Sequence, residues 1–447
     1  MTEEHVKPVV AVIGAGPAGL FGANSLVEHG AHVVLLNRDI KPGGLAEYGI
    51  YYDKYSIKEG LRKQFRKILA SPDITYYGNV RVAEDGDVTL AELRQMGFAA
   101  IIVAVGAQGT KWLGLPGEDL QGVYHSKTLM YHYNDLPPYS EQEFAIGKRV
   151  AVIGVGNTMA DIAHWLTRDV QVDEIIGVAR RGPAEVKFTR QELAYIVANF
   201  DLEALDAEFE RVADRMRAVG QDPDEAKGFL LSALSRKALA SVSETRIRFR
   251  FLSSPKRILG DGEGNVAGLE VDDTELVLKD DGDTRARRLD TQHVLDVDTV
   301  IFCIGDRVSS RFGLPVQWNE FVKSETPRYP VDGDSYEVFD PQANAPIEGI
   351  FVAGWARKAS KGQVGLARKD AYNCAEAVMR YIDDVPGYDA GAGEKLAARL
   401  TQINKSLVRK DDWRRLEAIE QQKAAELGVE LFKFKSNAEM LEAIGLG

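Results

Sequence analysis

The chain has 447 residues and a formal net charge of −12, with 55 Lys and Arg against 67 Asp and Glu. That length holds two or three domains with a sizeable core, and the acidic balance argues against non-specific nucleic-acid binding. Its two cysteines, Cys303 and Cys374, exclude a disulfide framework, a CxxC redox pair and a cysteine-ligated iron–sulfur cluster within the chain.

Both cysteines read as small buried residues, which makes a cytoplasmic location the default. No stretch approaches the length of a membrane span, and no metal site is expected. The short polar start MTEEHVKP reads as neither a secretory signal nor a transit peptide.

Residues 9 to 30, VVAVIGAGPAGLFGANSLVEHG, open with a continuous apolar run. Such a run suits a strand buried on both faces, and the GxGxxG and helix-compatible segment that follow suit a nucleotide-binding turn. Residues 31 to 50, AHVVLLNRDIKPGGLAEYGI, read as a strand running into a glycine-bearing loop. A nucleotide unit usually ends this strand with an acid that grips a ribose hydroxyl. Here Asn37 holds that place, followed by Arg38.

AAIIVAVGA, residues 99 to 107, is another apolar strand, ending near Gly106. Residues 149 to 170, RVAVIGVGNTMADIAHWLTRDV, repeat the strand, glycine turn and helix with a near variant of the motif. The next strand, IIGVARRG at 175 to 182, places Arg180 and Arg181 where an NAD site would hold an acid. Paired guanidinium groups suit a 2′-phosphate, through bidentate charge-assisted bonds.

Residues 190 to 245 look helical, and 246 to 300 look like strands and hairpins. Within 236 to 257, Arg236, Lys237, Arg246, Arg248, Arg250, Lys256 and Arg257 gather against a single Glu244, a candidate docking surface for an acidic protein. DTVIFCIGD at 298 to 306 and GIFVAGW at 349 to 355 are further apolar strands that reach glycine. The tail from 393 to 447 reads as amphipathic helices.

Two glycine turns, each after a buried strand, imply two nucleotides used together. The natural pair is a flavin and a nicotinamide that exchange hydride, bound beyond the carboxyl ends of the strands.

The segments PGGLAEYGI, AVGAQGTKWLGLPGEDLQGV, ARRGPAEVKFTRQEL and GWARKASKGQVGLARKDA, with the C-terminal DDWRRLEAIEQQKAAELG, carry a more specific signal. Through them the chain resembles the adrenodoxin-reductase type of ferredoxin–NADP reductase, within the wider glutathione-reductase-like flavoproteins. The resemblance covers nearly the whole chain. It implies an α/β fold with two Rossmann-like, three-layer nucleotide-binding domains. The FAD-binding domain would be discontinuous, residues 1–108 and 342–447, and the NADP-binding domain would span 109–341.

The resemblance also implies roles. Gly14, Gly16, Ala18 and Gly19 would cradle the FAD pyrophosphate, and Asn37 would accept a bond from its ribose through the amide oxygen. Leu45 would lie along the cofactor, Val82 would offer backbone contacts to the adenine, and Gly106 would close a strand end against it. Trp355, Gly362, Gln363 and Val364 would border the isoalloxazine. Val155, Gly156, Asn157 and Thr158 would hold the NADP(H) diphosphate, and Arg180 and Arg181 its 2′-phosphate. Glu192 would lie near the nicotinamide end.

This sequence departs from the family pattern at two places. Lys54 stands where the family carries a His beside Asp53, so any proton relay there would run through Asp53 and Lys54. The turn ASKGQV, 359 to 364, adds Lys361 beside the flavin.

The implied activity is electron transfer between NADPH and a ferredoxin-like acidic carrier. One alternative is the NAD(P)H-reacting FAD subunit of a larger ferredoxin-linked or glutamate-synthase-like complex, docked on a partner redox subunit. Another is a non-catalytic nucleotide-binding protein.

Overall fold

The computed structural model describes residues 7–51, 53–234, 239–359, 362, 364–385 and 387–447. The chain divides into two compact units. One contains the chain up to Thr110, Tyr131–Glu141 and Gly305–Gly447, and the other Lys111–Met130 and Gln142–Ile304.

The first unit is built on a six-stranded sheet. Its order is Glu337–Asp340, Ala345–Val352, Ala100–Val103, Val9–Ile13, His32–Leu36, Ile74–Tyr77. All neighbours pair in parallel except the edge strand Glu337–Asp340, which pairs antiparallel with Ala345–Val352. Every residue of VVAVI is buried, because a parallel sheet is covered on both faces. Val10 and Val12 face a core shared with helices Pro17–Glu28 and Val364–Asp384. Val9, Ala11 and Ile13 face a second core that takes in Leu93, Leu396 and Leu400. The three layers expected from the sequence are present.

The second unit holds a five-stranded parallel sheet in the order Val123–His125, Thr299–Phe302, Arg149–Ile153, Glu174–Val178, Arg246–Arg250. One face packs on an antiparallel sheet of Ser253–Gly260, Val266–Leu278 and Thr284–Leu295, through Ile258, Val266, Leu269 and Val271. The helix Asn157–Trp165 follows the central strand and buries Met159, Ile162 and Ala163.

The expected boundary at 341/342 falls instead at 304/305. Residues 305–341 have no core of their own: Val308, Phe312, Leu314, Phe321 and Val338 are buried in a core of the first unit. Residues 131–141 also join the first unit, where the fully buried Asn134 accepts bonds from Lys58 and Lys433. Neither excursion leaves a mark in hydrophobic periodicity.

The region 190–245 holds helices Leu202–Arg217 and Pro223–Leu231, and the tail holds Ala392–Leu400, Lys410–Leu427 and Asn437–Ala443. No helix of the described residues is long and apolar enough to cross a membrane.

Candidate nucleotide sites

In the first unit the glycine turn leaves the carboxyl end of Val9–Ile13. Gly14 has φ +103°, a conformation that a side chain would strain, and its N–H donates to the Leu36 carbonyl at 2.7 Å. Gly19 serves close approach: a Cβ there would sit 1.7 Å from the Gly14 carbonyl oxygen. Gly16 caps the helix Pro17–Glu28, which has neither a side-chain cap nor an acid in its first turn. By contrast, helices Leu90–Gln95, Leu202–Arg217 and Asn437–Ala443 are capped by Thr89, Asp201 and Ser436. The first N–H groups of Pro17–Glu28 are therefore left for an anion, which the helix dipole favours.

The segments that lead to the predicted Leu45 and Trp355 pack on this turn through their glycines. Gly43 donates its N–H to the Ala15 carbonyl at 2.7 Å, and a Cβ on Gly44 would lie 2.9 Å from the Gly16 Cα. Leu45 then opens the short helix Leu45–Tyr48. Gly354 approaches Ala18 closely, since a Cβ on Gly354 would lie 2.6 Å from that of Ala18. The Trp355 indole N–H donates to the Gly362 carbonyl at 3.1 Å, just before Val364 starts its helix. Arg357 locks this loop, pairing with Asp370 and Asp334 and lying 4.4 Å over the Tyr336 ring. Gln363 and Lys361 lie outside the described residues.

Asn37 is buried, at 6% exposure, and its side chain serves the protein. Its Oδ1 accepts the Ala15 N–H at 3.2 Å, and its Nδ2 donates to the carbonyls of Asp39 at 2.8 Å and Lys41 at 3.0 Å. Val82 is buried nearby in sequence, and the Val80 N–H donates to the Asn37 carbonyl at 2.9 Å. Gly106, at φ +68°, stands in the loop after Ala100–Val103. Asp53 and Lys54 precede the helix Tyr55–Leu69, with Lys54 at its N-cap and largely buried.

Sequence reasoning missed a buried charged cluster behind this loop. The Glu47 carboxylate takes a forked pair from Arg62, at 2.8 and 2.6 Å, and the Lys433 ammonium at 3.1 Å. Lys41 lies 3.6 Å from Glu47 and pairs with Glu420. Burial alone would raise the Glu47 carboxyl, but Lys433, Lys41 and Arg62 together push it well below its ordinary range. Lys58 is completely buried one turn after Lys54, and its ammonium nitrogen lies 2.6 Å from the Asn134 side-chain oxygen. Burial is the main cause that lowers Lys58 to about 6, with Lys433 adding to it.

The second unit repeats the turn. Gly154 has φ +108°, and a Cβ there would lie 2.5 Å from the Cys303 carbonyl oxygen. Gly156 caps Asn157–Trp165, again with no side-chain cap and no acid in the first turn. The third glycine of the motif is Met159 here; room for it comes from Gly177 on the next strand, where a Cβ would meet the Met159 Cε at 3.1 Å. Asn157 accepts the Thr189 N–H at 2.8 Å, Val155 accepts the Lys187 N–H at 2.9 Å, and Thr158 is exposed. These contacts hold the loop 186–189 against the turn. Glu192 follows on the short helix Arg190–Leu193.

Arg180 and Arg181 close the strand Glu174–Val178, as expected. Their carbonyls are fixed by the Thr274 hydroxyl at 2.7 Å and the Leu252 N–H at 3.1 Å. Glu185 ties the following turn through the Gly182 N–H at 2.8 Å, the Gln221 amide at 3.0 Å and the Thr284 hydroxyl. The Arg180 guanidinium is exposed, with no carboxylate among the described residues within ion-pair distance. Arg181 reaches only Asp283, at 3.9 Å.

The basic window at 236–257 is a correction. Arg236 and Lys237 lie outside the described residues. The other cations have carboxylates nearby: Arg246 near Asp201, Arg248 with Glu174, Arg250 with Asp273, Lys256 and Arg257 with Glu270. Those acids come from other elements, so counting charge within one window overstated the local surplus.

A twin pair of glycine turns, each on its own parallel sheet, defines a two-nucleotide oxidoreductase fold. Residues 8–369 match the pyridine nucleotide-disulphide oxidoreductase family, and the chain belongs to it. Of its two cysteines, Cys374 is fully buried and Cys303 partly so.

Among known proteins the chain is similar to the NADPH-ferredoxin reductase FprA of Mycobacterium leprae (strain TN), 28% identical over 100% of both chains. It is also 27% identical to the mitochondrial NADPH:adrenodoxin oxidoreductase of Homo sapiens, over 99% of this chain and 93% of that protein. The solved structure of Mycobacterium tuberculosis FprA in complex with NADPH superposes with a TM-score of 0.80 at 26% identity, covering 99% of this chain and 100% of that one. The resemblance drawn from the motifs is borne out.

Proposed function

We propose that this chain passes electrons from NADPH to a small, ferredoxin-like iron–sulfur protein through FAD, in the cytoplasm. The observation that carries the reading is the pair of uncapped helix N-termini on glycine turns, the second followed by the exposed Arg180. The first cradle fits a dinucleotide pyrophosphate: close approaches at Gly14, Gly16, Gly19, Gly44 and Gly354 leave backbone, not side chains, around the helix N-terminus. When bound, FAD supplies two-electron chemistry toward NADPH and one-electron chemistry toward the acceptor.

The chain's own residues bind and orient. Gly14, Gly16, Ala18 and Gly19 hold the first pyrophosphate, with Leu45, Val82 and Gly106 along that nucleotide. Trp355, Gly362 and Val364 border the flavin ring, and Val155, Gly156, Asn157 and Thr158 hold the second diphosphate. Glu192, Asp53 and Lys54 are the candidate polar groups near the reacting rings. Arg180 and Arg181 select the 2′-phosphate. Such transfer depends on orientation more than on acid–base groups.

Changing Arg180 and Arg181 together to Gln is expected to weaken NADPH by about one to two decades and NADH by less than about threefold, since a charge-assisted bond is worth about 1.5–3 kcal/mol. Titration of each nucleotide, read by difference absorbance, checks this. Equal losses for the two nucleotides would remove the 2′-phosphate role.

A further inference from the structure

The end of the second strand in the first unit raises a problem that the glycine turn does not solve. A dinucleotide on such a turn is normally gripped at its ribose by an acid at this strand end. Asn37 holds that position, but its amide nitrogen is engaged by two backbone carbonyls and its oxygen by the Ala15 N–H. It shapes the loop that carries Lys41 and leads to Gly43 and Gly44.

The neighbouring residue is placed differently. The Arg38 side chain is 39% exposed and braced on two sides. Its Nε and Nη2 donate to the Asp39 carboxylate at 2.9 and 3.3 Å, and its Nη1 donates to the Gln108 side-chain oxygen at 3.0 Å. Gln108 is itself fixed, donating to the Val105 carbonyl at 2.8 Å.

Strand order gives this link its meaning. Val9–Ile13 lies between His32–Leu36 and Ala100–Val103. Arg38 follows one flanking strand and Gln108 the other, so the Arg38–Gln108 bond joins the two flanks of the turn that begins at Gly14. A guanidinium has five N–H groups, and three are engaged here. The remaining donors belong to a rigid, permanently charged group beside the expected path of the nucleotide.

We propose that Arg38, braced by Asp39 and Gln108, holds the adenosine-phosphate half of the dinucleotide in the first unit, and that Asn37 builds the loop without touching the ligand. The guanidinium donates to ribose or phosphate oxygens, where the usual acid would accept from ribose hydroxyls. The assignment rests on reading this unit as the FAD site.

The test is the rate of FAD release from the purified, full-length holoenzyme after dilution, followed by the rise in flavin fluorescence. Arg38→Ala and Gln108→Ala are expected to release FAD about ten- to a hundredfold and about three- to tenfold faster, in keeping with loss of a charge-assisted bond and of its brace. Arg38→Lys should fall between Arg38→Ala and wild type, because it keeps the charge and loses the fork. Asn37→Glu should release FAD faster and melt lower, because it removes both donors that hold the loop; an acid gripping the ribose would instead slow release. A wild type that carries flavin while Arg38→Ala and Gln108→Ala release it at the wild-type rate overturns the assignment alone. A wild type purified without flavin overturns the FAD reading, and the assignment with it.

Discussion

A Glu47→Ala variant is expected to lose about 3–5 kcal/mol of stability, the usual cost of removing one partner from a buried charged network. Glu47 is 4% exposed and faces Arg62, Lys433 and Lys41. With it gone, Lys41 keeps Glu420 and Arg62 keeps Glu59 at 4.0 Å, while the buried Lys433 loses the carboxylate at 3.1 Å. Lys433 keeps its bonds to the carbonyls of Glu47 and Asn134 and its place 4.7 Å over the Tyr48 ring, but these do not neutralise its charge. The cluster joins the loop after Gly43 and Gly44 to the helices Tyr55–Leu69 and Lys410–Leu427 and to the chain at 433, so the variant should also retain flavin less well. Urea denaturation at neutral pH measures the loss; a change below about 1 kcal/mol would show that the network relaxes without cost. The carboxyl is depressed in the folded state, so its contribution is present above the ordinary carboxylate range and is lost as pH falls toward the folded value.

Lys58→Met should act in the opposite direction, gaining on the order of 1–4 kcal/mol at pH 7, because folding of the wild type costs the free energy of deprotonating this buried lysine. Lys58 is completely buried and its folded value lies near 6, against 10.5 for an ordinary lysine. Between those values the unfolded chain binds one more proton than the folded chain. Wild-type stability therefore rises with pH across this window, by up to about 1.4 kcal/mol per unit from this group, and falls as pH drops toward 6. The variant lacks that slope, so its advantage shrinks as pH rises toward 10. The lost bond to Asn134 offsets part of the gain. Urea midpoints for both proteins at pH 6, 8 and 10 give the comparison; parallel curves would show that Lys58 remains charged when folded.

The parallel strands were legible because burial on both faces leaves unbroken apolar runs, as in VVAVI and RVAVI. Both glycine turns and the arginine pair were legible because their chemistry depends on backbone shape and local charge. What stayed hidden depends on partners distant in sequence. Met159 was tolerable as the third motif position only because Gly177 lies on the facing strand. Nothing near Glu47 announced Lys433, 386 residues away. Asn37 stands at the ribose-binding position of the motif, but the carbonyls that engage its amide nitrogen are set by the path of the loop. The boundary near 341 was misplaced because residues 305–341 bury their apolar groups in the core of the other unit.

Anaerobic addition of NADPH to the purified chain decides whether the two glycine turns act as one electron-transfer enzyme. The expected result is a flavin absorbance band that bleaches within the turnover time, bleaches much less with NADH at the same concentration, and returns when an oxidised ferredoxin-type protein is added. A flavin band that NADPH leaves unchanged would contradict the account.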